Sequence, residues 1–478
     1  MGLRVAEFPA DENRPGDPRL RAFLPERFSM IVKGTVIHTP VLGRVEIISD
    51  ALVTVDNDGQ IGSVLGTDSS EYETCFAAAR TDSHFVELQR GQYLLPGLVD
   101  LHVHAPQWPQ LGKALHLPLY DWLQQYTFPL EARYSDLGFA RTVYTSLVDN
   151  LLANGTTTAT YFGTIHLEAT KILADICQEQ GQRAIIGKVV MDNSDECPDF
   201  YRDDSCRSSL DETSTFVEYV NGIGGKDSGR VLPAVTPRFI PSCTDEALMG
   251  LGKIAREYGC HVQTHCSESD WEHNYVLDRH GINDTQSLDR FGLLTDKTVL
   301  AHSNLISRSD MTTVRDRDCG IAHCPLSNVY FSNAVFPARR ALDFGLTVGL
   351  GTDISGGPRA DILSNCQAAV NASRLLEEGV DADADAARRG TPDSRIDYLE
   401  AFWMATVGGA RALDLKIGQI SDGYCFDAIV VDTESPDSNL KTWDGMDTAE
   451  DILQKIIYNA DRRNIARVWV QGKLLKSS

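Results

Sequence analysis

His102 and His104 stand two residues apart at the end of an apolar run, Val99-Asp100-Leu101-His102-Val103-His104. If that run is a β-strand, residues two apart share a face, so both imidazoles can reach one cation. Residues of the same chemistry recur at wide intervals in Thr264-His265-Cys266-Ser267-Glu268, Ala301-His302 and Gly351-Thr352-Asp353. Singly, each has a plain structural reading: His265 as a hydrogen-bonded core histidine, Asp353 as a helix cap. Jointly, histidine or carboxylate at four separate strand ends describes a metal site. Three imidazoles and a carboxylate from His102, His104, His265 and Asp353 suit a borderline divalent ion, most naturally a single Zn²⁺. Fe²⁺ accepts the same ligands, so ligand type does not fix the metal. Such an ion lowers the pKa of bound water toward neutrality and makes hydroxide available as a nucleophile. Glu268, three residues beyond His265, is placed to accept a proton and pass it to the substrate. His302 and Asp353 can hold and orient the hydroxide. No lysine stands at the end of the fourth strand, where a carbamate bridging two metals would be sought; Arg238 is there instead, and one ion is expected.

These side chains need a scaffold that gathers distant strand ends. Between residues 94 and 415 the chain alternates strand and helix, with strand candidates at 98–104, 156–162, 184–191, 231–238, 261–265, 298–302, 320–324 and 347–353. Amphipathic segments such as 166–180 and 245–258 lie between most of them. Gly155, Gly181, Gly259 and Gly345 stand where helices should stop. Eight β/α units predict an α/β fold, a closed (β/α)8 TIM-type barrel with its functional residues at the carboxyl ends of the strands. A doubly wound open sheet is the alternative. No G-x-G-x-x-G loop or Walker motif is present, which removes the usual nucleotide-binding readings. Short β-type runs at 28–38, 45–48, 52–55 and 93–95 resemble those at 427–431 and 466–470. Residues 28–93 and 416–478 are therefore expected to form one small discontinuous β-sandwich domain. Residues 1–27, carrying Pro9, Pro15, Pro18 and Pro25, read as an N-terminal arm. The acidic stretch with Asp381, Asp383 and Asp385 reads as a solvated loop before a helix at 399–413.

At 478 residues, 42% hydrophobic and 23% charged, the chain has the composition of a soluble globular protein with a large core. It contains no apolar run long enough to span a membrane. The start, Met1-Gly2-Leu3-Arg4, lacks an apolar signal core, and the eleven cysteines include no Cys-x-x-Cys pair. A cytoplasmic protein with reduced thiols is expected. The net charge of −23, without a Lys/Arg tract, argues against nucleic acid as a partner and for a small neutral substrate. The same acidity also serves solubility.

The segments Pro96 to His104, Thr264 to Glu268, Ala301-His302 and Gly351-Thr352-Asp353 resemble the amidohydrolase superfamily of metal-dependent hydrolases. Within it the chain is similar to the guanine deaminase family, through segments outside the metal motif. These are Asp121-Trp122-Leu123-Gln124-Gln125-Tyr126-Thr127-Phe128-Pro129, Val235-Thr236-Pro237-Arg238-Phe239, Ala322-His323-Cys324-Pro325 and Asp461-Arg462-Arg463-Asn464. The resemblance spans residues 28 to 478. Position by position it implies His102, His104, His265 and Asp353 as metal ligands, Glu268 as proton shuttle and His302 beside the hydroxide. It also implies that Gln107, Arg238 and Phe239 grip a purine. The implied activity is zinc-dependent hydrolytic deamination of guanine to xanthine and ammonia in purine catabolism, by a homodimer. Pro106, Ser269, Ser303-Asn304 and Gly356-Gly357-Pro358-Arg359 depart from the family's usual residues. These departures leave the metal set intact and bear on the pocket rim. Another amino-heterocycle (a pterin, a triazine, cytosine or isoguanine) is thus the alternative substrate. A non-catalytic scaffold is the reading from another class, and the complete ligand set with Glu268 speaks against it.

Overall fold

The computed structural model describes residues 28–81, 83–223 and 229–477; the arm expected at 1–27 lies outside them. Eight parallel strands carry the site: β1 (Leu98–His104), β2 (Thr156–Phe162), β3 (Arg183–Gly187), β4 (Val231–Pro237), β5 (His261–Cys266), β6 (Thr298–His302), β7 (Gly320–His323) and β8 (Thr347–Leu350). They hydrogen-bond in chain order, with the two-residue strand Val189–Val190 added beside β4. Every residue of β1, β2, β3, β5, β6 and β7 is buried. Burial on both faces lets β3 and β6 run apolar over most of their length, whereas β1, β2 and β5 carry buried polar residues, among them Asp100, His102, His104, Thr156, Gln263 and His265. Helices cover the outside. The one at Asp245–Tyr258 starts on the Thr244 hydroxyl, which accepts from Ala247 N, and stops at Gly259 in the left-handed region (φ +59°). Gly181 ends the helix Leu167–Gln180 in the same way (φ +83°).

The ring is completed at the site itself. Asp353 N donates to the His102 carbonyl (2.8 Å) and His104 N to the Ile354 carbonyl (3.0 Å). Thr352 N and its hydroxyl both donate to the buried Asp100 carboxylate, at 2.9 and 2.5 Å. Closing bonds therefore join the two ligand-bearing segments, beyond the body of β8. The eighth strand stops at Leu350 rather than 353, because Asp353 adopts a left-handed conformation (φ +49°) that no strand accommodates. Approach here is close: a Cβ added to Gly351 would lie 2.8 Å from that of His102.

The two chain ends meet in a second sheet, separate from the barrel. Strands Phe28–Val41, Arg44–Asp56, Ile61–Leu65, Gln92–Pro96, Ala428–Asp432, Ile465–Val470 and Lys473–Ser477 form one hydrogen-bonded path, and Phe85–Glu87 pairs with Phe28–Val41 beside it. Met30, Val32, Val53 and Val55 share a core with Phe426, Val430 and Trp469. The sandwich expectation thus takes the form of a single sheet whose halves bury a common core. It is continuous because Gln92–Pro96 pairs with both Phe28–Val41 and Ala428–Asp432. Runs 45–48 and 52–55 are one strand, and the helix at 399–413 begins at Tyr398 and is interrupted by a π turn at Met404–Gly408. Asp381, Asp383 and Asp385 are surface residues ahead of the short helix Ala386–Arg389. Among the described residues no helix is long and apolar enough to cross a membrane, and all eleven cysteines are unpaired.

Sheet domain and barrel are clasped by a buried ion pair. Arg183 Nε and Nη2 donate to Asp427 at 2.8 and 3.1 Å, and Gly97 N donates to the Asp427 carbonyl at 2.9 Å. Asp427→Asn leaves the guanidinium buried beside a neutral partner. A stability loss of about 3–5 kcal/mol is expected, read as a lower urea midpoint. An unchanged midpoint would show that the clasp contributes nothing net.

Candidate active site

β1, β5 and the turn after β8 deliver four side chains to one point. The ligand atoms of His102, His104, His265 and Asp353 lie within 4.8 Å of one another, and all four residues are buried. His104 Nε2 and His265 Nε2 are 3.0 Å apart. Asp353 Oδ1 is 3.2 Å from His102 Nε2 and 3.5 Å from His104 Nε2. His265 Nδ1 faces the Arg238 carbonyl at 2.6 Å. A carbonyl only accepts, so the proton is on Nδ1 and the Nε2 lone pair points into the cluster. His102 Nε2 is buried with no hydrogen-bond partner, an arrangement that a cation would satisfy. Burial pushes His102 down from the ordinary histidine range, and His104 and His265 well below it, so all three are neutral donors. Burial alone would push the Asp353 carboxyl up; His102 and His302 more than offset it and hold it at about 2. Three neutral imidazoles and one carboxylate therefore fit a single divalent ion of the borderline class.

Glu268 and His302 stand against this cluster. Glu268 Oε1 is 3.8 Å from His302 Nε2, which is 3.9 Å from Asp353 Oδ2. Burial pushes the Glu268 carboxyl up, which suits a group that must both take and give a proton. Its backbone is pinned at both ends: its N–H donates to Glu272 Oε2 at 2.7 Å, and its carbonyl accepts from Asn304 Nδ2 at 2.9 Å. Asn328 Nδ2 donates to Asn304 Oδ1 (2.7 Å), leaving Asn328 Oδ1 to accept from His302 Nδ1 (2.9 Å). His302 Nδ1 is thus engaged by Asn328, and Nε2 is the ring nitrogen turned toward Glu268 and Asp353. Ser267, His302, Ser303 and Asp353 all have φ between +47° and +69°. Leaving the pleat in this way ends the strands at the site, at roughly 1–3 kcal/mol per residue. Glu272, Asn304 and Asn328 are not singled out by sequence analysis. Asn304 was signalled only as a departure from the usual family residue after His302.

Gln107, Arg238 and Phe239 line the same cavity as His104, His265, Glu268 and Asp353. Apolar side chains, Leu119, Trp122 and Phe331, cover it. The Phe239 ring lies edge-on to His265 at 6.1 Å. Gln107 Oε1 accepts from Ser355 N at 3.1 Å, and its Nε2 donates to Glu131 Oε1 at 3.0 Å. Arg238 makes a two-pronged ion pair with the same carboxylate. Of the expected site residues, all but His102 and His302 line this cavity, and those two stand beside Asp353, at 3.2 and 3.9 Å from its carboxylate. Glu131 is the addition: it sits two residues beyond the Tyr126-Thr127-Phe128-Pro129 segment, and as a helical glutamate it carries no local signal of burial.

The chain is similar to known proteins over most of its length. The model of the amidohydrolase family matches residues 93–475. A guanine deaminase of Dictyostelium discoideum is 37% identical over 459 residues, covering 93% of this chain and 98% of that one. The guanine deaminase of Homo sapiens is 36% identical over 453 residues, covering 93% and 96%. Among solved structures, a guanine deaminase from C. acetobutylicum with guanine bound in its active site is similar with a TM-score of 0.82. It is 30% identical and is covered to 99%, against 93% of this chain.

Proposed function

Because the chain belongs to the amidohydrolase family and groups with its guanine deaminases, we propose that it catalyses zinc-dependent hydrolytic deamination of guanine to xanthine and ammonia, a step of purine catabolism. One observation carries the reading. One cavity is lined by His104, His265 and Asp353 of the four-donor cluster, by Glu268, and by Gln107 and Arg238. A Zn²⁺ ion held by His102, His104, His265 and Asp353 supplies, when bound, the Lewis acidity that lets water act as a nucleophile at neutral pH.

Water adds to C2 of the base while Glu268 accepts its proton and delivers it to the adjacent ring nitrogen. His302, whose ring is fixed through Nδ1 by Asn328, and Asp353 orient the attacking oxygen. The tetrahedral carbon then bears both hydroxyl and amino groups. Glu268 moves the hydroxyl proton to the amino nitrogen, the C–N bond breaks, ammonia leaves and the C2 carbonyl forms. Gln107 and Arg238 offer an amide and a guanidinium to the carbonyl and ring nitrogens, and Phe239 offers a flat apolar face. A base lacking those atoms leaves buried polar groups unpaired and is rejected. The net charge of −23 and the unpaired thiols support a cytoplasmic enzyme acting on the free base, not on nucleic acid. A homodimer is the assembly the family implies.

The test is ammonia release from guanine, isoguanine, cytosine, a pterin and a triazine, with metal content measured on the same preparation. Guanine is expected to be turned over best, by protein holding one zinc per chain. Preference for a pyrimidine would overturn the substrate, and a metal-free, fully active preparation would overturn the chemistry.

A further inference from the structure

Glu131 supplies no atom to the metal cluster, yet it is fully buried and touches both polar residues assigned to the base. Its Oε2 accepts from Arg238 Nη1 at 2.6 Å, and its Oε1 accepts from Arg238 Nη2 at 3.2 Å and from Gln107 Nε2 at 3.0 Å. Two-pronged pairing fixes the plane of a guanidinium, which a single contact would leave free to swing. The Gln107 amide is also held at both ends, by Glu131 and by Ser355 N. One carboxylate therefore aims both recognition groups.

The same contact settles their charge. A buried guanidinium without a partner attracts anions; paired at these distances with a carboxylate, it offers N–H donors and no net charge. The reaction changes what the pocket must hold. Replacing the amino group of guanine by a carbonyl puts a proton on the ring nitrogen between C2 and C4, and the anion formed by losing it is delocalised onto the new carbonyl. Xanthine is consequently the stronger acid of the pair. We infer that Glu131 is a positioning and specificity residue: it aims Gln107 and Arg238 at the base and cancels the Arg238 charge, so that the pocket selects neutral purines and does not retain ionised product. The inference rests on the guanine reading above.

The first test uses the unaltered enzyme. Inhibition of guanine turnover by xanthine is measured as pH rises through the ionisation of xanthine, alongside hypoxanthine, which ionises at higher pH. The ratio of the two inhibition constants removes ionisations of the enzyme itself. Xanthine should weaken relative to hypoxanthine as it ionises; if it tightens, the charge argument is wrong. The second test compares Glu131→Gln with Glu131→Asp. In the glutamine variant KM for guanine should rise about tenfold or more, the scale of a lost charge-assisted contact, with a smaller change in kcat. Its xanthine-to-hypoxanthine trend should reverse, and aspartate, which restores the charge, should bring back the original direction. A purely structural role would lower melting temperature and kcat without reversing that trend, and would overturn the inference. If the glutamine variant does not fold, the unaltered enzyme decides alone. Absence of any guanine turnover removes the guanine reading and this inference with it. Turnover with tightening xanthine inhibition removes the inference only.

Discussion

A Glu268→Gln protein is expected to keep its metal and its purine affinity and to lose turnover by about 10²- to 10⁴-fold, the range one general acid–base group supplies. The substitution is close to isosteric. The bonds that position residue 268 run through its backbone N–H to Glu272 and its carbonyl from Asn304, and both survive the change. Its side chain approaches His302 only to 3.8 Å, so no short internal hydrogen bond is broken. The loss would therefore report proton transfer, and not collapse of the loop. Equilibrium binding of guanine and single-turnover ammonia release separate the two, and near-normal release would remove Glu268 from the mechanism. The unaltered enzyme carries a related signature. Burial pushes the Glu268 carboxyl up, and the protonated form cannot accept a proton. The acid limb of kcat/KM should accordingly lie above the ordinary glutamate value of about 4.3, with activity lost as pH falls through it.

The parts of this site that were legible in the sequence share a physical cause. His102 and His104 could be paired because the strand repeat puts residues two apart on one face. His265, His302 and Asp353 could be joined to them because each stands at the end of a predicted strand, where a β/α barrel gathers its functional residues. What escaped depends on contacts between distant segments. Glu131 gains its meaning only when positions 107, 131 and 238 meet. Asn304 and Asn328 look like turn residues until their amides are found bridging Glu268 and His302. Asp100 could be seen beside the ligand pair, but not that it fastens β1 to the segment bearing Asp353. That both chain ends supply one β domain was legible; that it is one continuous sheet was not, for a similar reason. Its continuity depends on Gln92–Pro96 pairing on both edges, and a strand's partners are not written in its own residues.

Stripping the divalent ion with a chelator is expected to abolish ammonia release while leaving the barrel folded. The donors do not wait for metal to be gathered. β1 and the turn after β8 are joined by backbone bonds and by Asp100, and His265 is aimed by the Arg238 carbonyl. Loss of the ion should still cost stability: a ligand at a thousandfold excess over its Kd contributes about 4 kcal/mol, so the stripped protein should melt at a lower temperature. The cost has a visible origin. The cluster brings His104 Nε2 and His265 Nε2 to 3.0 Å of each other and buries His102 Nε2 3.2 Å from Asp353, a convergence of donors that a bound cation satisfies. Acid alone should remove the ion reluctantly. Burial already pushes all three imidazoles below the ordinary histidine range, so protons compete weakly for their lone pairs, and retention should extend into mild acid. Guanine should still bind the stripped protein, more weakly, because Gln107, Arg238 and Glu131 hold one another without the metal. Zinc added back should restore turnover in proportion to the ion taken up. Undiminished ammonia release from protein shown by elemental analysis to hold no stoichiometric metal would leave the four converging donors without a catalytic purpose.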